Sequence, residues 1–80
     1  MSKRTVFVRL KEGVLDPQGV TINKSLKQMG YDDFVSVKFG KFFELEIKAD
    51  ASDIDKKVNE VSEKLLSNPV IENFTVEITE

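Results

Sequence analysis

FVSVKFGKFFELEIK, residues 34–48, places apolar side chains at Val35, Val37 and Phe39 before Gly40-Lys41, and at Phe43, Leu45 and Ile47 after it. Alternation with a period of two is the pattern of half-buried strands. The join between the two runs decides the topology. A two-residue hairpin at Gly40-Lys41 pairs Phe39 with Phe42 and Val37 with Glu44, which puts charge on the core face. A three-residue connection through Gly40, Lys41 and Phe42 pairs Phe39 with Phe43 and Val37 with Leu45, and keeps the faces consistent. One long strand bent at Gly40 also preserves the alternation but turns Lys41 to the inner face. The three-residue hairpin is therefore the expectation.

Upstream of this stretch, Asp32 and Asp33 form a turn, and Gly30 is placed to end a helix in the left-handed conformation. Tyr31 then packs back on Leu26, as in a Schellman motif. The helix runs from Pro17 to about Met29, with Ile22, Leu26 and Met29 as its buried stripe. Asp16-Pro17 reads as its start: the carboxylate accepts from free N–H groups of the first turn, and proline gives up only an orphaned N–H. Leu15 and Val20 have the spacing of a hydrophobic staple. Gly13 can take a positive φ and lets the chain leave the first strand sharply. That strand, Thr5 to Leu10, sets Val6, Val8 and Leu10 on one face and Thr5, Phe7 and Arg9 on the other. A turn and a cap account for KEGVLDPQG, residues 11–19, without any binding role.

Downstream, Ser52-x-x-Asp55 resembles a capping box that opens a second helix with Ile54, Val58, Val61 and Leu65 inward. Asp53, Lys57, Glu60 and Lys64 form its solvated side. Asn68-Pro69 stops it, because the residue before proline is driven out of the α region. A last strand begins at Val70, with Phe74, Val76 and Ile78 inward and Thr75 and Glu77 outward.

The order βαββαβ, with right-handed crossovers, predicts a ferredoxin-like α+β sandwich: both helices on one face of a four-stranded antiparallel sheet. One domain spans residues 1–80. The first and third strands are central, and the second and fourth are open edges. The face away from the helices carries Phe7, Arg9, Glu44, Glu46 and Thr75, the candidates for self-association. Eighty residues bury only roughly 60–65% of their unfolded surface. Without cysteine, disulfides cannot help, so oligomerisation is the expected route to more burial.

A formal net charge of −2 argues against a nucleic-acid or anionic-membrane surface. MSKRTVFVRL has no long apolar run and enters a strand at once, so neither a signal peptide nor a membrane anchor is expected, and a soluble cytoplasmic protein is. The chain has no histidine and no cysteine, the commonest general base and the best nucleophile. Ser52 and Ser67 sit at helix boundaries without a base. Asp32 and Asp33 are adjacent turn carboxylates of the usual solvated kind, and no GxxxxGK[ST] or GxGxxG phosphate loop is present. Phe7 on an open sheet face could stack an RNA base, but Glu44 and Glu46 beside it repel phosphates, which favours a protein interface. No catalytic, cofactor-binding or metal-binding residue is expected. From the residues alone the chain is a small ferredoxin-like interaction domain.

KEGVLDPQG, the helix end at Gly30-Tyr31, VKFGKFFEL (residues 37–45) and NPVIENF (residues 68–74) together resemble the PurS family. These are the small subunits of formylglycinamide ribonucleotide amidotransferase. The resemblance covers nearly the whole chain, and GVLDPQG after a first strand is its most specific part. It implies a non-catalytic adaptor without a cofactor, a homodimer or homotetramer that joins a glutaminase subunit (PurQ) to a synthetase subunit (PurL). The complex uses ammonia from glutamine, with ATP, to make the formylglycinamidine ribonucleotide in purine biosynthesis. The resemblance places Lys11, Asp16, Gln18 and Gly19, with Gly40 and Lys41, near partner contacts. Capping, a fixed φ or close packing already explains Asp16, Pro17, Gly19 and Gly40, which leaves Gln18 and Lys41 as the sharper candidates. Two other βαββαβ readings compete. An ACT-type regulatory domain holds a small ligand near the strand-to-helix turn of paired domains. An acylphosphatase needs an arginine in that turn, where this chain has Asp16 and Gln18.

Overall fold

A computed structural model describes residues 1–79. Its elements are β1 (Ser2–Leu10), α1 (Pro17–Gln28), β2 (Gly40–Ile47), α2 (Ile54–Val61) with a π-helical turn over Ser62–Leu66, and β3 (Glu72–Ile78). The strands form one three-stranded sheet in the order β2-β1-β3, both pairings antiparallel. β1 is the spine, and Val6 and Val8 on it are buried with Val58 of α2. Phe43, Leu45, Ile47, Ile54, Leu66, Phe74 and Val76 pack around these three. The α+β class and the central position of the first strand are thus as the alternation predicts.

The hairpin at Gly40–Phe42 does not form. β2 begins at Gly40, no turn or bend interrupts residues 34–47, and residues 34–39 belong to no strand among those described. The chain runs on through Gly40 without reversing, as the long-strand alternative has it with Lys41 turned inward, but only Gly40–Ile47 is strand and there is no bend at Gly40. Lys41 is tolerated there because it lies at the rim of the sheet, opposite Val8. Its Nζ stands 3.9 Å from Glu72 Oε2 and 5.8 Å from the centre of the Phe43 ring. An ammonium that reaches a carboxylate over an aromatic face is not an unpaired buried charge.

The expected placement of the first helix also changes. α1 is capped as the sequence dictates: Gly19 N donates to Asp16 Oδ1 at 2.8 Å. At its other end, Gly30 takes φ 92°, Gly30 N donates to Lys27 O and Tyr31 N to Leu26 O. That is the complete Schellman pair. Yet no side chain of α1 joins the core, and Gly19 is the only buried residue on the helix. Ile22 and Met29 of the anticipated stripe are exposed, Met29 at 69%, as are Leu15 and Val20, so the staple is not buried either. The helix and residues 31–39 form an arm projecting from the sheet, and the protomer measures 52 × 26 × 14 Å.

The second helix departs from expectation in two details. The Ser52 box is absent; Asp53 precedes the helix in the left-handed region at φ 53°, with no side-chain cap. Aspartate tolerates that region better than most residues. Farther on, Ser67 N donates to Ser62 O at 3.0 Å, an i→i+5 bond. The wider turn delays the inward stripe by one residue, so Leu66 packs on the core and Leu65 is 77% exposed. β3 starts at Glu72 rather than Val70, which stays exposed. A further tie was invisible in the pattern. Arg4 Nε donates to Asp55 Oδ1 at 3.1 Å and Nη1 to Lys3 O at 3.0 Å, so α2 is fixed to β1 by a buried guanidinium.

Candidate functional site

The turn after β1 and the segment before β2 meet at the base of the arm. Asp16 joins them. Besides capping α1 through Oδ1, its Oδ2 accepts from Phe39 N at 2.8 Å. These bonds, that from Phe39 foremost and then that from Gly19, hold the carboxyl below its ordinary pKa, because both donors favour the charged form. Gly19 is required at the same place. A Cβ there would overlap the Val37 carbonyl oxygen and come within 2.7 Å of Asp16 Oδ2. Gly40 is confined likewise, its Cβ position lying 2.8 Å from Val8 O. The two stretches most specific to the resemblance therefore touch in space, although more than twenty residues separate Asp16 from Phe39.

A cleft of about 470 Å³ opens beside this clamp, lined among others by Arg9, Lys11, Asp16, Lys38, Phe39 and Gly40. A smaller one of about 180 Å³ is lined by Gln18, Gly40, Lys41 and Glu72 among others. Together the two clefts gather Lys11, Asp16, Gln18, Gly40 and Lys41, with Gly19 just beneath. Several polar groups of the larger cleft have partners. Lys38 Nζ is 3.4 Å from Glu12 Oε1, Asp16 accepts from two backbone amides, and the Lys11 backbone N–H donates to Ile71 O. Among the described residues no three His, Cys, Asp or Glu side chains gather as metal ligands, and no helix is long and apolar enough to cross a membrane.

The sheet face away from α2 brings Phe7, Arg9, Glu44, Glu46 and Thr75 together. Thr75 lies opposite Phe7, Glu44 opposite Thr5 and Glu46 opposite Lys3. Arg9 Cζ stands 5.4 Å from the centre of the Phe7 ring, and Arg9 Nη1 reaches Thr75 Oγ1 at 3.5 Å. Phe42 belongs to this face too: it pairs with Phe7, with ring centres 5.9 Å apart. Assigning Phe42 to a hairpin connection hid it; one unbroken alternation from Gly40 gives it the parity of Glu44. Phe39 carries no side-chain signal for its role, since it serves through its backbone amide.

Comparison with known proteins agrees with this arrangement. The family model PurS, phosphoribosylformylglycinamidine (FGAM) synthase, matches residues 3–80. The phosphoribosylformylglycinamidine synthase subunit PurS of Bacillus subtilis is 45% identical over 80 residues, spanning 100% of this chain and 95% of that one. The chain belongs to the PurS family. The B. subtilis PurS structure, in a C2 crystal form, superposes with a TM-score of 0.91 over 100% of both chains at 45% identity. A chain of the PurLQS structure from Thermotoga maritima superposes with a TM-score of 0.83 at 29% identity, covering 96% of this chain and 95% of that one. The PurS resemblance carried by KEGVLDPQG and VKFGKFFEL thus extends over the whole chain, the projecting arm included.

Proposed function

We propose that this chain is the accessory subunit of phosphoribosylformylglycinamidine synthase, a cytoplasmic homo-oligomer acting as one domain over residues 1–80. It joins a glutaminase subunit, PurQ, to a synthetase subunit, PurL, so that ammonia freed from glutamine is used in ATP-dependent formation of formylglycinamidine ribonucleotide. The observation that carries this reading is the end-to-end match to PurS, which extends to a chain of the T. maritima PurLQS structure. The geometry suits a scaffold: the larger cleft holds an ion pair and a capped amide, and the exposed apolar area is large.

Within that reading, Lys11, Gln18 and Lys41 are the partner-facing groups at the base of the arm, and Asp16, Gly19 and Gly40 keep that base in shape. The open face of Phe7, Arg9, Glu44, Glu46 and Thr75 is a second contact, between copies of the chain, and builds dimers into tetramers.

The test is reconstitution with purified glutaminase and synthetase subunits, measuring formylglycinamidine ribonucleotide formed with glutamine or with ammonia. The chain is expected to be needed for the glutamine reaction and dispensable for the ammonia reaction. Equal glutamine-dependent rates without it would refute the assignment.

A further inference from the structure

β3 closes one side of the sheet, and among the described residues its outer edge pairs with no strand. The ladder with β1 fixes which groups that edge presents. Lys11 N donates to Ile71 O, and Thr79 N donates to Lys3 O. Hydrogen-bonded pairs recur at every second residue of an antiparallel ladder, so the odd-numbered residues of β3 exchange their bonds with β1. The even-numbered residues turn N–H and C=O outward. Glu72 does so at the start of the strand, where its N–H donates to Asn68 O at 2.7 Å. Among the described residues nothing receives the N–H of Phe74, Val76 or Ile78.

The same three residues line a groove. It holds about 390 Å³, with Phe74, Val76 and Ile78 on the strand side and Asp55 and Asn59 of α2 on the other. Ile78 is 68% exposed. Edge strands are commonly blunted by a lysine, a proline or a bulge. β3 has none of these, and stays in register with β1 from Glu72 to Ile78. Carboxylates follow the groove. Glu77 projects from the strand, and Glu63 shares the adjoining hollow with Phe74 and Lys11. Neither has an ion pair among the described residues, and the Asp55 side chain, though bonded to Arg4, is still 72% exposed.

We infer that the outer edge of β3 takes an extended segment of a partner subunit as one more strand, apolar on one face and bearing lysine or arginine on the other. The inference rests on the subunit reading and deepens it, by giving the chemistry of a segment through which one larger subunit is held. Main-chain bonds to Phe74, Val76 and Ile78 supply the attachment, and the alternation of the incoming strand supplies the choice of partner. Its apolar side chains lie beside those three residues, over the groove. Its cations lie on the opposite face, level with Thr75 and Glu77, where a directly opposed unlike charge stabilises the pair. A second copy is a poor occupant, because β3 against β3 crowds Glu72 and Glu77 of both chains onto one ribbon. One added strand is small beside the ~800 Å² that each partner gives to a standard interface. It acts as a tether that adds to other contacts between the subunits.

Hydrogen–deuterium exchange of the full chain, resolved to single amides, is measured alone and after adding the purified synthetase or glutaminase subunit. Alone, Phe74, Val76 and Ile78 should exchange fast while Thr75 and Glu77 are slow. With one of the two subunits present, the first three should slow by about tenfold. Ile78→Pro removes an outward N–H that β1 does not use, so the strand survives and binding of that subunit should weaken several-fold. Glu77→Lys, at an exposed position, should weaken it as well, and Glu77→Gln by less. Fast exchange that persists with both subunits would overturn the inference. So would protection of the three amides in the chain alone, which would seat a second copy there. Unchanged binding by Glu77→Lys would also overturn it, by removing the basic chemistry. Glutamine-dependent product formation reports the subunit reading separately: if it persists while the edge stays unprotected, only the strand addition falls.

Discussion

The sheet with α2 and the arm made of α1 and residues 31–39 both carry apolar stripes, yet only the first buries its stripe within the protomer. In the sheet half, β1 is flanked on both sides, and Val6, Val8 and Val58 lie at the centre of a single cluster. In the arm, local rules do the work: an aspartate cap, a proline at the first turn and a Schellman end shape α1 without any core beneath it. Helix ends are specified by neighbours in sequence, whereas burial requires a surface to pack on. The difference teaches that a well-formed element need not be a packed one, and that an exposed stripe can belong to an interface between chains.

Substitutions in the two halves should therefore differ in kind. The largest effect is expected from Val8→Ala, which leaves a cavity in the core cluster of the described residues and should cost about 2–3 kcal/mol. Chemical denaturation measures it, and the loss should be similar at all protein concentrations. Gly19→Ala comes next. Its Cβ must displace the Val37 carbonyl or the Asp16 carboxylate, for about 1–3 kcal/mol. Because Gly19 sits at the arm's base, hydrogen exchange should quicken at residues 16–20 and 37–39 before the sheet is affected.

The residues behind these predictions also mark what the sequence makes legible. Helix α1, its caps and the alternation of β1 are readable because each rests on neighbours a few positions away. The same alternation also assigns Phe7, Arg9, Glu44, Glu46 and Thr75 to one face. The path of residues 34–39 is not readable, because a hairpin at Gly40–Phe42 and a straight strand satisfy the same period of two. An inward Lys41 counts against the long strand in the sequence alone, because Glu72, which receives it, is thirty-one positions away. The π-turn at Ser62–Leu66 shifted the stripe from Leu65 to Leu66 without any glycine or proline to announce it. The contact of Asp16 with Phe39 N is invisible for a related reason: any residue but proline supplies the same amide.

Two smaller effects sharpen the comparison. Phe42→Asp on the open face loses the cross-strand pair with Phe7 and should cost the protomer about 1 kcal/mol, less than Val8→Ala. It should halve the largest assembly seen by light scattering; an unchanged mass would remove that face from the contacts between copies. The clamp at Asp16 should respond to acid. Its pKa is depressed in the folded chain, so the stabilisation is fully present above the ordinary aspartate value of about 3.9 and fades as pH falls through the lower folded value. Amide shifts of Gly19 and Phe39, followed by NMR from pH 6 downward, should move together with the Asp16 carboxyl. Asp16→Ala should abolish that joint response and speed exchange at both amides.

The central claim is that the arm is finished by another chain. Thermal unfolding over a hundredfold range of protein concentration, with the mass followed by sedimentation, tests it most directly. A homo-oligomer that buries its arms between copies should melt at a temperature that rises with concentration, with α1 and the sheet lost in one transition. A 9.1 kDa monomer whose melting temperature is independent of concentration would contradict the account.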